Sequence, residues 1–389
     1  MSDTISLTNA LPDRDDRLRG LTAPKIKASA KNWAFVGGAL YIFQIWVLVK
    51  WVIGPYFKTV PSGQVPEAMK IAYWALVVVS WVTAVLITWF WVVRPRRRTG
   101  TYTPEGMLVI WCFVSGWFWD PFSNFMQQMY VWSSVGPNRG SWIAEIPGFH
   151  GIGVGHPGAM MAYPLMLIAP LYGLGASVLA IIALISMRWT QRRFPNLGGF
   201  GLVMVGTLVG GFVDTVFEIG FLRSGLYAYV SGIRSVTLWP DHYYRFPLYE
   251  FVFAGIWCSG YAALMFFKND RGETLVERGL SRLTIGRGNA TVVRYLAFAA
   301  GFTGLFFLTY FIPCWIVTQY DGAWPRDIQQ RPYLTNYICG PGTDQTCSSD
   351  TLPLPHRGPI VHFDPNGKLI VPPGVPQPGA ESATTAGAR

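Results

Sequence analysis

Seven apolar runs, each about the length of a bilayer crossing, constrain this chain more than any other feature. A hydrocarbon core ~30 Å thick takes about 20 residues of helix. Trp33–Val49 carries no charge and continues past Lys50 to about Ile53. Ile71–Val93 carries none, and Gly106–Trp132 carries only Asp120. Gly158–Met187 is uncharged, with Pro164 and Pro170 expected to kink it. Leu197–Leu222 carries Asp214 and Glu218, Pro247–Phe267 carries Glu250, and Tyr295–Thr318 carries none. Only 13% of all residues are charged, against about 25% in a soluble protein. These features exclude a soluble enzyme, a disordered protein and a disulfide-rich secreted module. The expected fold is all-α: a polytopic bundle of seven transmembrane helices.

The net charge of +10 is not a nucleic-acid signal, because the basic residues sit in clusters between the apolar runs. Nineteen Lys and Arg flank the runs on one side and seven on the other, the tail set aside. Basic residues gather on cytoplasmic loops, so the N-terminus is expected inside and the C-terminus outside, in the plasma (inner) membrane. Residues 1–32 are polar, lack a cleavable signal and read as a flexible cytoplasmic arm. Residues 33–318 form the membrane domain. Residues 319–389 are Pro-rich and read as an extracytoplasmic tail, disordered from about 373. Leu352, Leu354, Ile360 and Val361 in its middle would lie over the outer mouth of the bundle. Cys339 and Cys347 flank a Gly/Pro turn, and on the outer face a disulfide between them is expected. Cys112, Cys258 and Cys314 lie within spans and read as packing residues. No internal repeat is evident, which weakens an inverted-repeat transporter reading.

Ionisable groups inside a bilayer cost on the order of 2.5–3.5 kcal/mol even on lenient scales, so each is a candidate for function. Helical rise compares their depths. Asp120 lies ~21 Å and Asp214 ~26 Å from the inner ends of their spans at 1.5 Å per residue. Glu218 sits a turn higher, and Glu250 lies just inside a helix entering from outside. All four therefore share the outer third of the membrane. Asp214 and Glu218, at i and i+4, share one helix face. Two carboxylates that close in low dielectric do not both ionise unless a cation lies between them. A proton held there suits a general acid. The structural alternative is a network with Arg223, Arg234 or Arg245. Asp120 precedes Pro121, so it would equally serve as the N-cap of a second half-helix. Asn124, one turn on, would present its amide to the same space.

The loop from Arg223 to Glu250 is dense in aromatics, which would either anchor it at the interface or wall a substrate. Arg234 and Arg245 within it would neutralise an ionised carboxyl. His150 and His156 lie in a Gly-rich loop whose spacing is no zinc signature, and no metal site is expected. The glycines there lack the Lys and Ser/Thr of a phosphate loop. Asn289-Ala-Thr is a formal glycosylation sequon on the cytoplasmic side. Gly206, Gly210 and Gly211 suit close helix packing.

At WDPFSNF, the Asp214/Glu218 pair, the IRSVTL-to-FPLYE loop and the FFKNDRGETLVERG segment, the chain resembles the spirocyclase AveC family of actinobacteria. The resemblance runs over roughly residues 70 to 315, leaving the N-terminal arm and the Cys-containing tail outside it. It implies an integral membrane enzyme that closes a dihydroxy-ketone chain into a spiroketal, or dehydrates. Both reactions lose water through a cationic state and need an acid, a base and a dry pocket. Asp120, Asp214, Glu218 and Glu250 would supply acid and base. Trp117, Trp119, Tyr227, Tyr229, Tyr243 and Tyr244 would shield the cation. No cofactor is required. The expected partners are membrane lipid and a hydrophobic, hydroxylated polyketide- or lipid-like substrate. A proton-coupled carrier using the same carboxyls and a non-catalytic lipid- or sterol-binding subunit are the alternatives. The carrier is disfavoured because the inner halves of the spans are almost purely apolar. A retinal protein is excluded, since Tyr295–Thr318 contains no Lys for a Schiff base.

Overall fold

The computed structural model describes residues 30–126, 128–149, 161–283, 286–318, 325–336, 362–363 and 369–370. Cys339, Cys347, His150, His156, the tail residues Leu352, Leu354, Ile360 and Val361, and most of both terminal segments lie outside them. Among the described residues six helices are long and apolar enough to span a membrane. They are α1 (Ala30–Ile53), α2 (Glu67–Thr99), α4 (Ile168–Arg193), α5 (Gly199–Arg223), α6 (Tyr249–Phe266) and α7 (Gly288–Val317). A shorter apolar helix, α3 (Pro104–Val114), lies between α2 and α4.

Burial separates the centre from the rim. Over half of the apolar stretch of α4 and of α6 is buried, against 22% in α1 and α2. The rim helix α1 buries one stripe, including Ala34, Gly37, Gln44, Val47 and Trp51. A Cβ on Gly37 would overlap the Leu296 carbonyl of α7, so only glycine permits that approach. Its other face exposes Phe35, Ile42, Ile45 and Val49, as a lipid-facing surface would. Helices α5 and α6 pack as their glycines suggest. A Cβ on Gly210 would stand 2.8 Å from the Cys258 Cβ, and one on Gly211 would overlap the Phe251 carbonyl. Cys112, Cys258 and Cys314 are free and buried.

The third apolar run departs from expectation. It is not one continuous helix: α3 stops at Val114, a 3-10 segment runs Gly116–Asn124, and the chain is extended by Tyr130. Pro121 lies inside the 3-10 segment, where it has no N–H to offer an α-helical ladder. Side chains satisfy the carbonyls that the break frees. Trp117 Nε1 donates to the Phe113 carbonyl at 2.9 Å, and Gln44 Nε2 to the Val114 carbonyl at 2.9 Å. Irregular backbone at membrane depth persists only where protein groups supply such partners. The fourth run also begins late. Pro164 lies in a short strand, and Pro170 lies in the first turn of α4. Neither kinks the helix, because first-turn N–H groups have no intrahelical partner to lose.

The chain still threads back and forth. At one end Arg188 pairs with Glu105 at 2.7 Å and Ala30 N donates to the Arg278 carbonyl. At the other end Lys50 pairs with Glu145 at 3.3 Å, and the interhelical loops build a cap. Three small antiparallel ribbons organise that cap: β1 (Tyr130–Trp132) with β4 (Tyr227–Tyr229), β2 (Asn138–Gly140) with β3 (Ala162–Pro164), and β5 (Thr237–Leu238) with β6 (Phe246–Pro247). The start of the tail docks there as well: Ile328 and Leu334 are fully buried, and Ser134 N donates to the Tyr333 carbonyl.

Candidate functional site

Beneath the cap lies a cavity of about 170 Å³ whose wall includes Asp120, Asp214, Glu218 and Glu250. The four carboxyls that share a depth in the sequence thus also meet laterally. They arrive on three separate elements. Asp120 comes from the 3-10 segment, Asp214 and Glu218 from successive turns of α5, and Glu250 from the first turn of α6.

The carboxyls fall into two environments. Asp120 does not cap a half-helix; it is saturated with side-chain donors. Its Oδ2 accepts from the hydroxyls of Tyr130 and Tyr163 and, at 3.1 Å, from the indole of Trp132. Its Oδ1 accepts from the Tyr172 hydroxyl at 2.6 Å. Across the cavity, Glu218 Oε1 accepts from Tyr227 at 2.6 Å and Tyr229 at 2.5 Å, while Glu218 Oε2 has no partner among the described residues. Glu250 is 1% exposed; its Oε2 accepts from Tyr310 at 3.0 Å, and its Oε1 has no partner among the described residues.

The β1–β4 ribbon joins the two environments. Its register sets Tyr130 opposite Tyr229 and Trp132 opposite Tyr227. Alternate residues of a strand share a face, so all four aromatics project from one side of the ribbon, two toward Asp120 and two toward Glu218. The far wall includes Trp111, Trp257, Tyr261 and Phe306. Trp257 and Trp111 both pack edge-on against Tyr261, whose hydroxyl has no partner among the described residues.

Several expected wall residues lie elsewhere. Asn124 turns away from the cavity: its amide donates to the Tyr130 carbonyl and its Oδ1 accepts from Met129 N and Tyr130 N, closing the turn before β1. Trp117 and Trp119 hold the helix break, the latter by donating to Ser115 Oγ. Arg234 is exposed and paired with Asp241 at 2.5 Å, too far out to meet a carboxyl of the site. Tyr243 donates to the Arg223 carbonyl, and Tyr244 lies against the Arg223 guanidinium and the His242 ring, outside the cavity. Arg245 is buried and its Nε donates to the Tyr229 carbonyl at 2.9 Å, steadying β4 from outside the cavity wall.

Sequence reasoning passed over Tyr130, Trp132, Tyr163, Tyr172 and Tyr310, the donors that fix the carboxyl groups. For Tyr130 and Trp132 the signal was the alternation Tyr-Val-Trp, matched by Tyr-Ala-Tyr at residues 227–229, a period-2 pattern that marks strands; Tyr163, Tyr172 and Tyr310 carried no such signal.

Fold and site define a helical protein with six helices long and apolar enough to cross a membrane and a carboxyl-lined, aromatic-walled cavity among them. The spirocyclase AveC-like family model matches residues 95–334; the chain belongs to that family. The match starts later than residue 70 and continues through the docked start of the tail. No curated protein and no solved structure matches the chain.

Proposed function

We propose that the cavity is an acid–base site for ring closure or dehydration of a hydrophobic, hydroxylated substrate, with loss of one water. The carrying observation is the asymmetry of the carboxyls. Four donors aimed at Asp120 suit a carboxylate anion. Asp214, Glu218 and Glu250 crowd the other side, and two of them keep an oxygen without a partner among the described residues. Three carboxyls so placed do not all ionise together, so that side retains the transferable proton.

In ring closure one hydroxyl first adds across the ketone carbonyl to give a hemiketal; the acid then passes its proton to the hemiketal hydroxyl, that C–O bond breaks and water leaves. Asp120 and the faces of Trp132 and Tyr227 stabilise the resulting oxocarbenium charge. The attacking hydroxyl forms the new C–O bond and gives its proton to Asp120, whose Oδ1 accepts, among the described residues, only from Tyr172. The released water returns that proton to the acid side, leaving no net proton change. In dehydration the base takes a C–H proton instead.

The carrier alternative requires a polar path to both faces. Below the cavity Ala180, Ala183, Leu184, Met187, Leu202 and Met265 are fully buried, which disfavours it. The test compares metabolites of a deletion strain and its parent for pairs differing by one water, then assays the purified protein on them. Substrate-dependent proton flux in vesicles without any change in substrate mass would overturn the enzymatic reading in favour of the carrier.

We also propose, from the distribution of Lys and Arg, that the bundle lies in the plasma membrane with its cap and tail outside. Alkaline phosphatase fused after the last span should be active. An inactive phosphatase fusion with a bright GFP counterpart would reverse the orientation.

A further inference from the structure

We infer that the cavity loads sideways from the bilayer, through a gap between the cap-side halves of α4 and α5. The occupant is a single-tailed amphiphile: its apolar chain lies in the gap and its hydroxylated end reaches the carboxyl groups. The entry route stands on geometry alone; the role of the polar end rests on the acid–base reading above.

Helices α4 and α5 close on each other away from the cap, where a Cβ on Gly206 would stand 3.2 Å from Met187 Sδ. Toward the cap they leave the cavity between them, bounded by Leu174, Gly175 and Val178 on α4 and by Phe217 and Phe221 on α5. A Cβ on Gly175 would meet nothing within 4 Å, so the middle of this gap is open space. Phe217 borders the cavity and is nevertheless 47% exposed, so the cavity reaches the outer surface of the bundle on this flank.

Depth decides which solvent that surface meets. Phe217 lies ~9 Å from the cap-side end of α5 and Gly175 ~10 Å from that of α4, at 1.5 Å per residue. Both positions fall below the headgroups, within the hydrocarbon. The neighbouring surface of α5 is apolar, with Phe212 and Val216 exposed. The route from the cap is occupied instead: Tyr130, Val131, Ala228, Tyr229 and Val230 are buried, with Tyr333 and Leu334 buried in the same cap. An apolar chain therefore reaches the cavity without leaving lipid. At its inner end Glu250 Oε1, without a partner among the described residues and on a residue 1% exposed, can accept a hydrogen bond from a hydroxyl.

The probe is a long-chain alkanediol carrying a diazirine, dissolved in phosphatidylcholine vesicles that hold the full-length protein. Illumination and peptide mapping should place the label on the segments containing residues 174–178 and 217–221. Gly175→Leu fills the gap and should cut that labelling about tenfold, the effect of losing ~1.4 kcal/mol of binding. Phe217→Ala widens the gap and should raise it, and two variants of opposite sign cannot both be explained by misfolding. Asp214→Asn should keep the label even where it abolishes turnover, so a failure of the chemistry and a failure of the portal are read separately. Label confined to the cap loops, or label indifferent to both Gly175→Leu and Phe217→Ala, overturns the inference.

Discussion

Two acidic clusters, one at each end of the bundle, use buried glutamates in opposite ways. In the loop between α6 and α7, Glu277 Oε1 accepts from Arg294 Nε at 2.5 Å, and its Oε2 accepts from Thr274 N at 3.0 Å. Glu273 accepts from Ser281 Oγ, Ser281 N, Asn269 Nδ2 and Gly279 N. All four carboxyl oxygens of Glu273 and Glu277 have a partner. In the cavity Glu218 and Glu250 each keep an oxygen that nothing in the described protein satisfies. A buried acceptor without a partner costs about 1–3 kcal/mol. The loop carboxyls are thus satisfied within the protein, while the cavity carboxyls leave acceptor capacity that, under the proposed function, a substrate donor would fill. Both clusters lie within the residues 95–334 that the family model matches, and only geometry separates the saturated carboxyls from those with open acceptors.

The largest expected effect tests that separation directly. Glu218→Gln keeps the shape and removes the exchangeable proton, so turnover should fall about 10²–10⁴-fold while the thermal midpoint in detergent stays near wild type. A collapsed midpoint would place Glu218 with the structural acids. Arg294→Met should do the reverse. It leaves Glu277, whose side chain is 7% exposed, without its cation and should destabilise the protein by roughly 3–5 kcal/mol. Turnover per folded molecule should be unchanged. Adding Glu277→Gln should recover part of the loss, and a double variant no better than the single would show that the pair is not the source.

A smaller effect is expected where Asp120 keeps three of its four donors. Tyr172→Phe removes one hydrogen bond to a charged group, about 1.5–3 kcal/mol. Turnover should drop roughly 10- to 100-fold, against little change for Tyr243→Phe, which lies outside the cavity. Equal effects of the two would deny Asp120 its special environment. The smallest effect concerns Glu273. Burial raises its pKa, but the hydrogen bonds from Ser281, Asn269 and Gly279 outweigh that and leave it below the ordinary value of 4.5. Its charge therefore stabilises the loop above that value, and the contribution is lost as pH falls through the depressed folded-state value. Wild type should melt above Glu273→Gln near neutral pH, and the gap should close in acid. A gap that widened toward acid would contradict the assignment.

Much of this was legible in one dimension. The span lengths, the parity of Lys and Arg and the shared depth of Asp120, Asp214, Glu218 and Glu250 follow from a fixed rise per residue and the cost of charge in lipid. Pro121 signalled a break in the third apolar run, but not its place at Ser115, where Gln44, far away in sequence, supplies the Val114 carbonyl with a partner. The fate of the aromatics was not legible either. Trp117, Trp119, Tyr243 and Tyr244 have the same composition as a cavity wall, yet each points elsewhere. The tyrosines that hold the carboxyls come from a ribbon, a strand and two helices scattered along the chain.

The sequence by itself determined that this protein is a bundle of apolar helices with four acids at one depth, because hydrophobicity and helical rise act locally and add along the chain. Only the tertiary structure decided that the acids face one cavity, that one of them is saturated with donors and the others are not, and that the cavity reaches the flank between α4 and α5. Those outcomes depend on hydrogen-bond direction and close packing between residues on different elements, with the tyrosine–carboxyl pairs 9 to 60 positions apart, and no local period records them.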